Sequence, residues 1–277
     1  MKLPKNIPKV KLDRLSYVSV PIGMYFSETK KLLANGTGFI YQHNEYHYLI
    51  TNWHNITGIN PITKKPLSIH AGRPDLINFP LQGGKKPFIK WKRFSLKLFE
   101  DDKMGEPNWL IHPVYKEKVD VAALEVKIPE EIFVYPINKQ DFEDIKPEVS
   151  DEIFILGFPY NLKGGGNFPI WKRGSIATEP DIDYEGLPKI LVDTASRRGM
   201  SGAPVIYRRS GIHNFLNGQP KKDSIIGTIQ GFVGIYSGRI LGETEWEAQL
   251  GIVWKAQVIE EIINGNIKDD VKNISHS

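Results

Sequence analysis

The chain has 277 residues, 40% of them hydrophobic and 25% charged, with a formal net charge of +4. That length allows one large domain or two smaller ones with a substantial core, and the composition is that of an ordinary soluble protein. Lys and Arg are scattered among Asp and Glu, so no nucleic-acid-binding stripe is expected. Cysteine is absent, which excludes disulfides, a thiolate nucleophile and a Cys-based zinc site.

The N-terminal stretch MKLPKNIPKVKLDRLSYVSVPIG is basic but leads into no apolar core of signal-peptide length. No later run reaches transmembrane length, so a cytoplasmic protein that contacts no membrane is the expectation. Strands are expected first at LSYVSVPIGMYF, GTGFIY and YHYLIT, then at FIKWKRFSLKLF and VAALEV. Cations and aromatics mix in KKPFIKWKR (Lys85–Arg93), and their alternation reads as a solvated strand rather than a binding patch. From Ile128 to Glu148 the chain is acidic, holds three prolines and has no clear period, so it reads as a linker. Further strands follow at EIFILGF, KILVD, APVIY, SIIGTIQGFVGIY and QLGIVW. Many short strands, with 25 Gly and 19 Pro in the chain, indicate barrels or sandwiches. WKAQVIEEIING reads as a helix with Trp254, Val258, Ile259, Ile262 and Ile263 on one face and Gly265 as its cap. There is no internal repeat and no low-complexity tract.

The chemistry centres on RRGMSGAPVIY (Arg197–Tyr207). A serine between glycines at the mouth of a strand exposes its hydroxyl while nearby backbone N–H groups point at one spot. Acyl transfer needs that pairing of a nucleophile with donors for a developing oxyanion. The serine needs a base. His43 and His47 flank a hairpin turn, where solvation explains them and metal ligation does not. His70 lies in a loop, His112 precedes a proline, and His213 and His276 sit in polar segments. His54 closes YHYLITNWHNITG, at the end of an apolar strand with a fixed backbone. A third group must orient the imidazole. Asp120 enters the apolar run DVAALEV at its first residue. Its competitor Asp193 lies only eight residues before Ser201 and is better placed to support the loop.

The order His54, Asp120, Ser201 resembles that of trypsin- and chymotrypsin-like serine proteases rather than subtilisins or α/β-hydrolases. GTGFIY, LITNWH, DVAALEV and GMSGAPVI each resemble family strings, and SIIGTIQGFVGIYSG resembles the strand that binds substrate backbone. DTASRRGMSG, GFPYN and WKRGSIA are similar to segments of the bacterial HtrA (Deg) protease domain, without room for a PDZ domain. The resemblance implies an all-β fold: two six-stranded antiparallel β-barrels with a C-terminal α-helix. The single unit over 1–277 divides into an N-terminal barrel at 15–127, a linker at 128–150, a C-terminal barrel at 151–253 and a helix at 254–265. It implies Ser201 as nucleophile, His54 as proton carrier and Asp120 as its orienter. The N–H groups of Gly199 and Ser201 would form the oxyanion hole, and Ser237 would bond the aspartate. Ala195, Arg198 and Gly238 would contact substrate. No metal and no cofactor is implied.

Three departures stand out. Met200 occupies the place where zymogen-type members carry an aspartate that pairs with a freed N-terminus, so another contact must order the oxyanion loop. Trp53 replaces a small residue and is expected to alter the cleft wall. Ala195, where trypsin-like enzymes set primary specificity, disfavours Lys or Arg and favours small or medium apolar side chains. Arg198 and Arg239 are candidates for the cleft rim, with solvation as the plain alternative. The expected function is a serine endopeptidase acting on proteins or peptides. The alternatives are a catalytically silent protease-fold binding module and a protease switched on by a regulatory protein partner.

Overall fold

The structure, a computed structural model, describes residues 11–68, 72–83, 90–101, 105–195, 197–216, 219–239 and 249–270. The first half forms β1 (Ser19–Phe26), β2 (Lys31–His43), β3 (Tyr46–Thr51), the one-turn helix α1 (Trp53–Thr57), β4 (Leu76–Gly83), β5 (Lys90–Lys97), β6 (Leu110–Ile111), β7 (Ala122–Glu125) and β8 (Ile132–Phe133). The second half forms β9 (Glu152–Gly157), β10 (Ile170–Ile176), β11 (Lys189–Asp193), β12 (Pro204–Leu216), β13 (Gln219–Arg239), β14 (Leu250–Lys255), the helix α2 (Gln257–Gly265) and β15 (Ile267–Lys268).

These strands build the expected two-barrel, all-β fold. The second barrel is closed, with strand order β10-β11-β14-β13-β12-β9. The first follows the order β15-β6-β7-β3-β2-β1-β4-β5, with β8 attached to β4, so among the described residues it carries nine strands where six were expected. Its seam is bridged where Asn108 N–H donates to Leu98 O (2.8 Å) and Glu100 N–H to Glu106 O (3.0 Å). Two of its strands come from outside residues 15–127. Ile132 pairs with Gly83 inside the segment read as a linker, and Ile267 pairs with Ile111 after the terminal helix.

Alternation explains why several strands are apolar at almost every position. Successive side chains of a strand face opposite sides, and here both sides are buried. Leu49 packs inside the first barrel and Ile50 between the barrels. Likewise Ala122 and Leu124 face the first core, while Val121 and Ala123 face the interface. On β9, Ile153 and Ile155 fill the second barrel and Leu156 the interface. The β5 sequence KWKRFSLK is solvated on one side instead, with Phe94 and Leu96 turned to the core.

The terminal helix is shorter than its periodicity predicts. Trp254 belongs to β14, paired with Lys189 and Ile235. Val258, Ile259, Ile262 and Ile263 are the buried helix face. Gly265 does not cap: the left-handed residue is Asn266, at φ 48°. Gly265 is in the last turn because a Cβ there would stand 2.7 Å from Pro113 Cγ.

Candidate active site

His54 and Asp120 meet across the mouth of the first barrel. The strand β3 ends at Thr51, and α1 begins two residues later, so His54 lies in a one-turn helix rather than at a strand end. Gly58, at φ 70°, closes that turn and donates its N–H to His54 O. Asp120 Oδ1 accepts the His54 backbone N–H at 2.9 Å, and Oδ2 lies 2.6 Å from His54 Nδ1. The Ser237 hydroxyl donates to the same Oδ2, and Asn52 Nδ2 holds the Asp120 carbonyl at 2.6 Å. The Asp120 side chain is 3% exposed. With Nδ1 committed to the carboxylate, a neutral His54 ring leaves Nε2 as its acceptor.

Ser201 reaches the same place from the second barrel. Its Oγ donates to Ser237 O at 3.4 Å, a long bond. Ser237 therefore touches Ser201 through its carbonyl and Asp120 through its hydroxyl. The loop around Ser201 is held from both sides of the barrel interface, and within the second barrel Gly202 N–H donates to Tyr236 O at 2.8 Å. Thr37 N–H and Asn55 Nδ2 both donate to Ser201 O, at 2.9 and 3.0 Å. Thr37 Oγ1 donates to Gly199 O at 2.8 Å and accepts the Phe158 N–H at 3.2 Å. Thr51 Oγ1 in turn holds Thr37 O at 2.8 Å. Within the second barrel, Tyr160 N–H donates to Arg198 O at 2.7 Å.

Both glycines of GMSG are required. Gly199 (φ 95°) and Gly202 (φ 86°) adopt left-handed backbone that disfavours side chains. A Cβ on Gly199 would overlap the Phe158 carbonyl oxygen, and one on Gly202 the Thr37 carbonyl oxygen and Thr51 hydroxyl. Among the described residues, the N–H groups of Gly199 and Ser201 have no acceptor. They are available to an external oxygen.

The trypsin-like peptidase domain family matches residues 36–211, well over half of the chain. The chain belongs to that family. Two solved structures are similar to it. One is the inactive form of a serine-to-alanine mutant of Rv3671c from M. tuberculosis H37Rv: 18% identity, 90% of this chain and 86% of that one covered, TM-score 0.45. The other is human heparin binding protein, with 10% identity, 91% and 92% coverage and a TM-score of 0.46. Comparison with curated proteins yields no match.

In this trypsin-like peptidase, a cleft of about 520 Å³ lies beside His54, Asp120, Ser237 and Gly238. Its walls combine apolar groups such as Ile62, Leu187 and Trp254 with the ion pairs Lys64–Glu117 (2.8 Å) and Lys189–Glu185 (2.6 Å). Burial alone would raise the Glu117 carboxyl, but the Lys64 ammonium outweighs it and holds Glu117 below the usual carboxylate range. Trp53 does not form the cleft wall. It is 0% exposed and its indole N–H bonds Asp269 at 2.7 Å. Met200 is also 0% exposed and packs in the second barrel, so an apolar anchor is one of the other contacts expected to order the loop.

Ala195 is half-buried and Arg198 exposed. The Arg239 side chain, His70 and His276 lie outside the described residues. Asp193 is exposed on β11 and pairs with Ser175 and Leu250. Three other histidines are engaged elsewhere. His43 Nδ1 lies 2.8 Å from Glu260, His112 Nε2 lies 2.8 Å from Glu261, and His213 Nε2 lies 3.1 Å from Gly227 O. Among the described residues no group of three His, Asp or Glu gathers to hold a metal ion. No helix there is long and apolar enough to cross a membrane.

The sequence reading missed Thr37, Asn52, Thr51 and Asn55. All are buried polar residues inside or beside apolar strands, and such residues are expected to have at least one hydrogen-bond partner. A signal was present: Thr37 interrupts GTGFIY, and Asn52 and Asn55 bracket His54.

Proposed function

We propose that this trypsin-like peptidase is a serine endopeptidase that hydrolyses peptide bonds of proteins or peptides through an acyl-enzyme. Ser201 Oγ attacks the scissile carbonyl. His54 Nε2 takes its proton and returns it to the leaving amine, while Asp120 orients the ring and stabilises its cation. The N–H groups of Gly199 and Ser201 receive the oxyanion; such a donor is worth about two to three orders of magnitude in rate. The single observation that supports this reading most is the buried Asp120 carboxylate fixing both the backbone and the ring of His54 at the cleft. Gly238 offers backbone to the substrate, and the apolar cleft wall favours an apolar side chain; Ala195, outside that lining, carries no acid to select Lys or Arg.

A second reading has its own observation. The Ser201 hydroxyl has one proton to donate, and it is directed to Ser237 O. That is a resting arrangement, and it favours a protease that a partner switches on by turning Ser201 toward His54. Catalytic hydrogen bonds are often formed only with substrate bound, so the endopeptidase reading comes first.

The test is labelling by a fluorophosphonate at neutral pH. Wild-type protein is expected to be modified at Ser201, Ser201→Ala not at all, and His54→Ala about 10⁶-fold more slowly. A proteome-wide cleavage profile of wild type against Ser201→Ala then reads specificity. Folded wild-type protein that resists the label and cleaves nothing, alone or with lysate added, excludes the endopeptidase.

A further inference from the structure

We infer that Asp269, near the end of the described chain, is a positioning residue for His54, acting through Trp53. The inference rests on the reading of His54 as the general base. Trp53 and Trp109 both donate their indole N–H to Asp269 Oδ2, at 2.7 and 2.9 Å, and Oδ1 takes the Asp270 N–H at 2.8 Å. Trp53 is 0% and Trp109 1% exposed, and Asp269 is 8% exposed. Buried indole N–H groups usually find an acceptor, and here one carboxylate serves two. Burial pushes the Asp269 carboxyl up, and the indole bonds pull it partly back. A carboxyl so placed is costly unless its bonds are kept; a residue needed only to fill space there would be apolar.

The location ties this group to the site. Trp53 and His54 are consecutive on α1, so their side chains leave the helix in different directions. Asp120 grips His54 from the cleft side, through the backbone N–H and the ring. Asp269 grips Trp53 from inside the first barrel. Two carboxylates thus hold adjacent residues of one short helix, and a one-turn helix has little stability of its own to resist rotation. Asp269 is brought there by β15, which pairs with β6, and by Lys268, whose Nζ lies 2.6 Å from Glu100. His54 is therefore fully set only when the segment after α2 has folded back onto the first barrel.

The test compares Asp269→Ala, Asp269→Asn, Trp53→Phe and Trp109→Phe in the full chain. The readouts are the rate of fluorophosphonate labelling, the low-field NMR resonance of the His54 Nδ1 proton, and far-UV circular dichroism. Asp269→Ala is expected to retain the fold, to disturb the His54 resonance and to lower labelling about 10- to 100-fold, the cost of a small misplacement. Asp269→Asn keeps an oxygen for the indoles and is expected to restore most of both. The tryptophan pair decides the matter if Asp269→Ala does not fold. Each variant loses one bond to the same oxygen, but only Trp53 is on α1, so Trp53→Phe is expected to slow labelling several-fold more than Trp109→Phe. Equal losses in that pair, or an Asp269→Ala protein with wild-type labelling and an unchanged His54 resonance, overturn the inference. If wild type is not labelled, alone or with lysate added, the reading of Ser201 as nucleophile fails. The His54 resonance in the same variants then still decides the role of Asp269.

Discussion

Gly202 shows how much one position carries. It needs a left-handed backbone at φ 86° and has no room for a Cβ, because the Thr37 carbonyl and Thr51 hydroxyl of the first barrel occupy that space. Backbone of this kind costs a side chain about 1–3 kcal/mol, and the overlap with another strand's backbone adds to it. Gly202→Ala is expected to destabilise the protein by about 3 kcal/mol or more, read as a lower urea midpoint with an unchanged slope. Gly199 is constrained in the same way by Phe158. The glycine pair around Ser201 was visible in the sequence as a turn signal. Why alanine is excluded was not, since the obstructing atoms belong to residues far away in the chain.

At the scale of elements, the Ser201 loop is fastened to β2 and α1. Thr37 contributes its N–H, hydroxyl and carbonyl to that junction, and Asn55 adds its side-chain amide. The question raised by Met200 is answered here: cross-barrel hydrogen bonds and a buried methionine order the loop. Thr37→Val keeps the shape and the backbone bond but removes the hydroxyl, leaving Gly199 O and Phe158 N–H without it. The expected cost is about 1–3 kcal/mol, with slower fluorophosphonate labelling of Ser201 beyond that loss of stability. A Thr37→Val protein labelled at the wild-type rate counts against a role for this contact in setting the loop. The helix α2 carries a different lesson. Its apolar period extends back to Trp254, but that residue pairs in β14. A buried strand and a buried helix face are both apolar, and a short window does not separate them.

At the scale of the molecule, the segment after α2 returns to the first barrel, where Ile267 and Lys268 pair with β6 and Asp269 holds Trp53 and Trp109. This has a pH signature. Burial raises the Asp269 carboxyl, Glu117 pushes in the same direction, and the indole and Asp270 N–H bonds oppose them. Arg73, itself lowered by burial, is the cation that senses Asp269. A carboxyl raised in the folded state binds its proton more tightly there than when unfolded. Its contribution to stability is present at acid pH and is lost as pH climbs from the ordinary carboxylate range through the raised value. Urea unfolding across that window is expected to give a wild-type stability that falls, relative to that of Asp269→Asn, as pH climbs. Equal slopes in the two proteins contradict this.

The two-barrel fold and membership of the peptidase family were legible along the chain. Strand alternation, glycine-bracketed Ser201 and the order of His54, Asp120 and Ser201 are local patterns, and local patterns survive in one dimension. Alternation also showed that strands such as VAALEV are buried, but not which core each face enters. That depended on packing the barrels together, because an apolar side chain reads the same in either core. The fastening of the site arose entirely in three dimensions. Thr37 lies far from Gly199 in sequence, and Asp269 far from Trp53, yet each pair is one hydrogen bond apart. Such bonds form between ordinary polar residues whose pairing is set by the fold, and nothing in their own neighbourhoods of sequence names the partner.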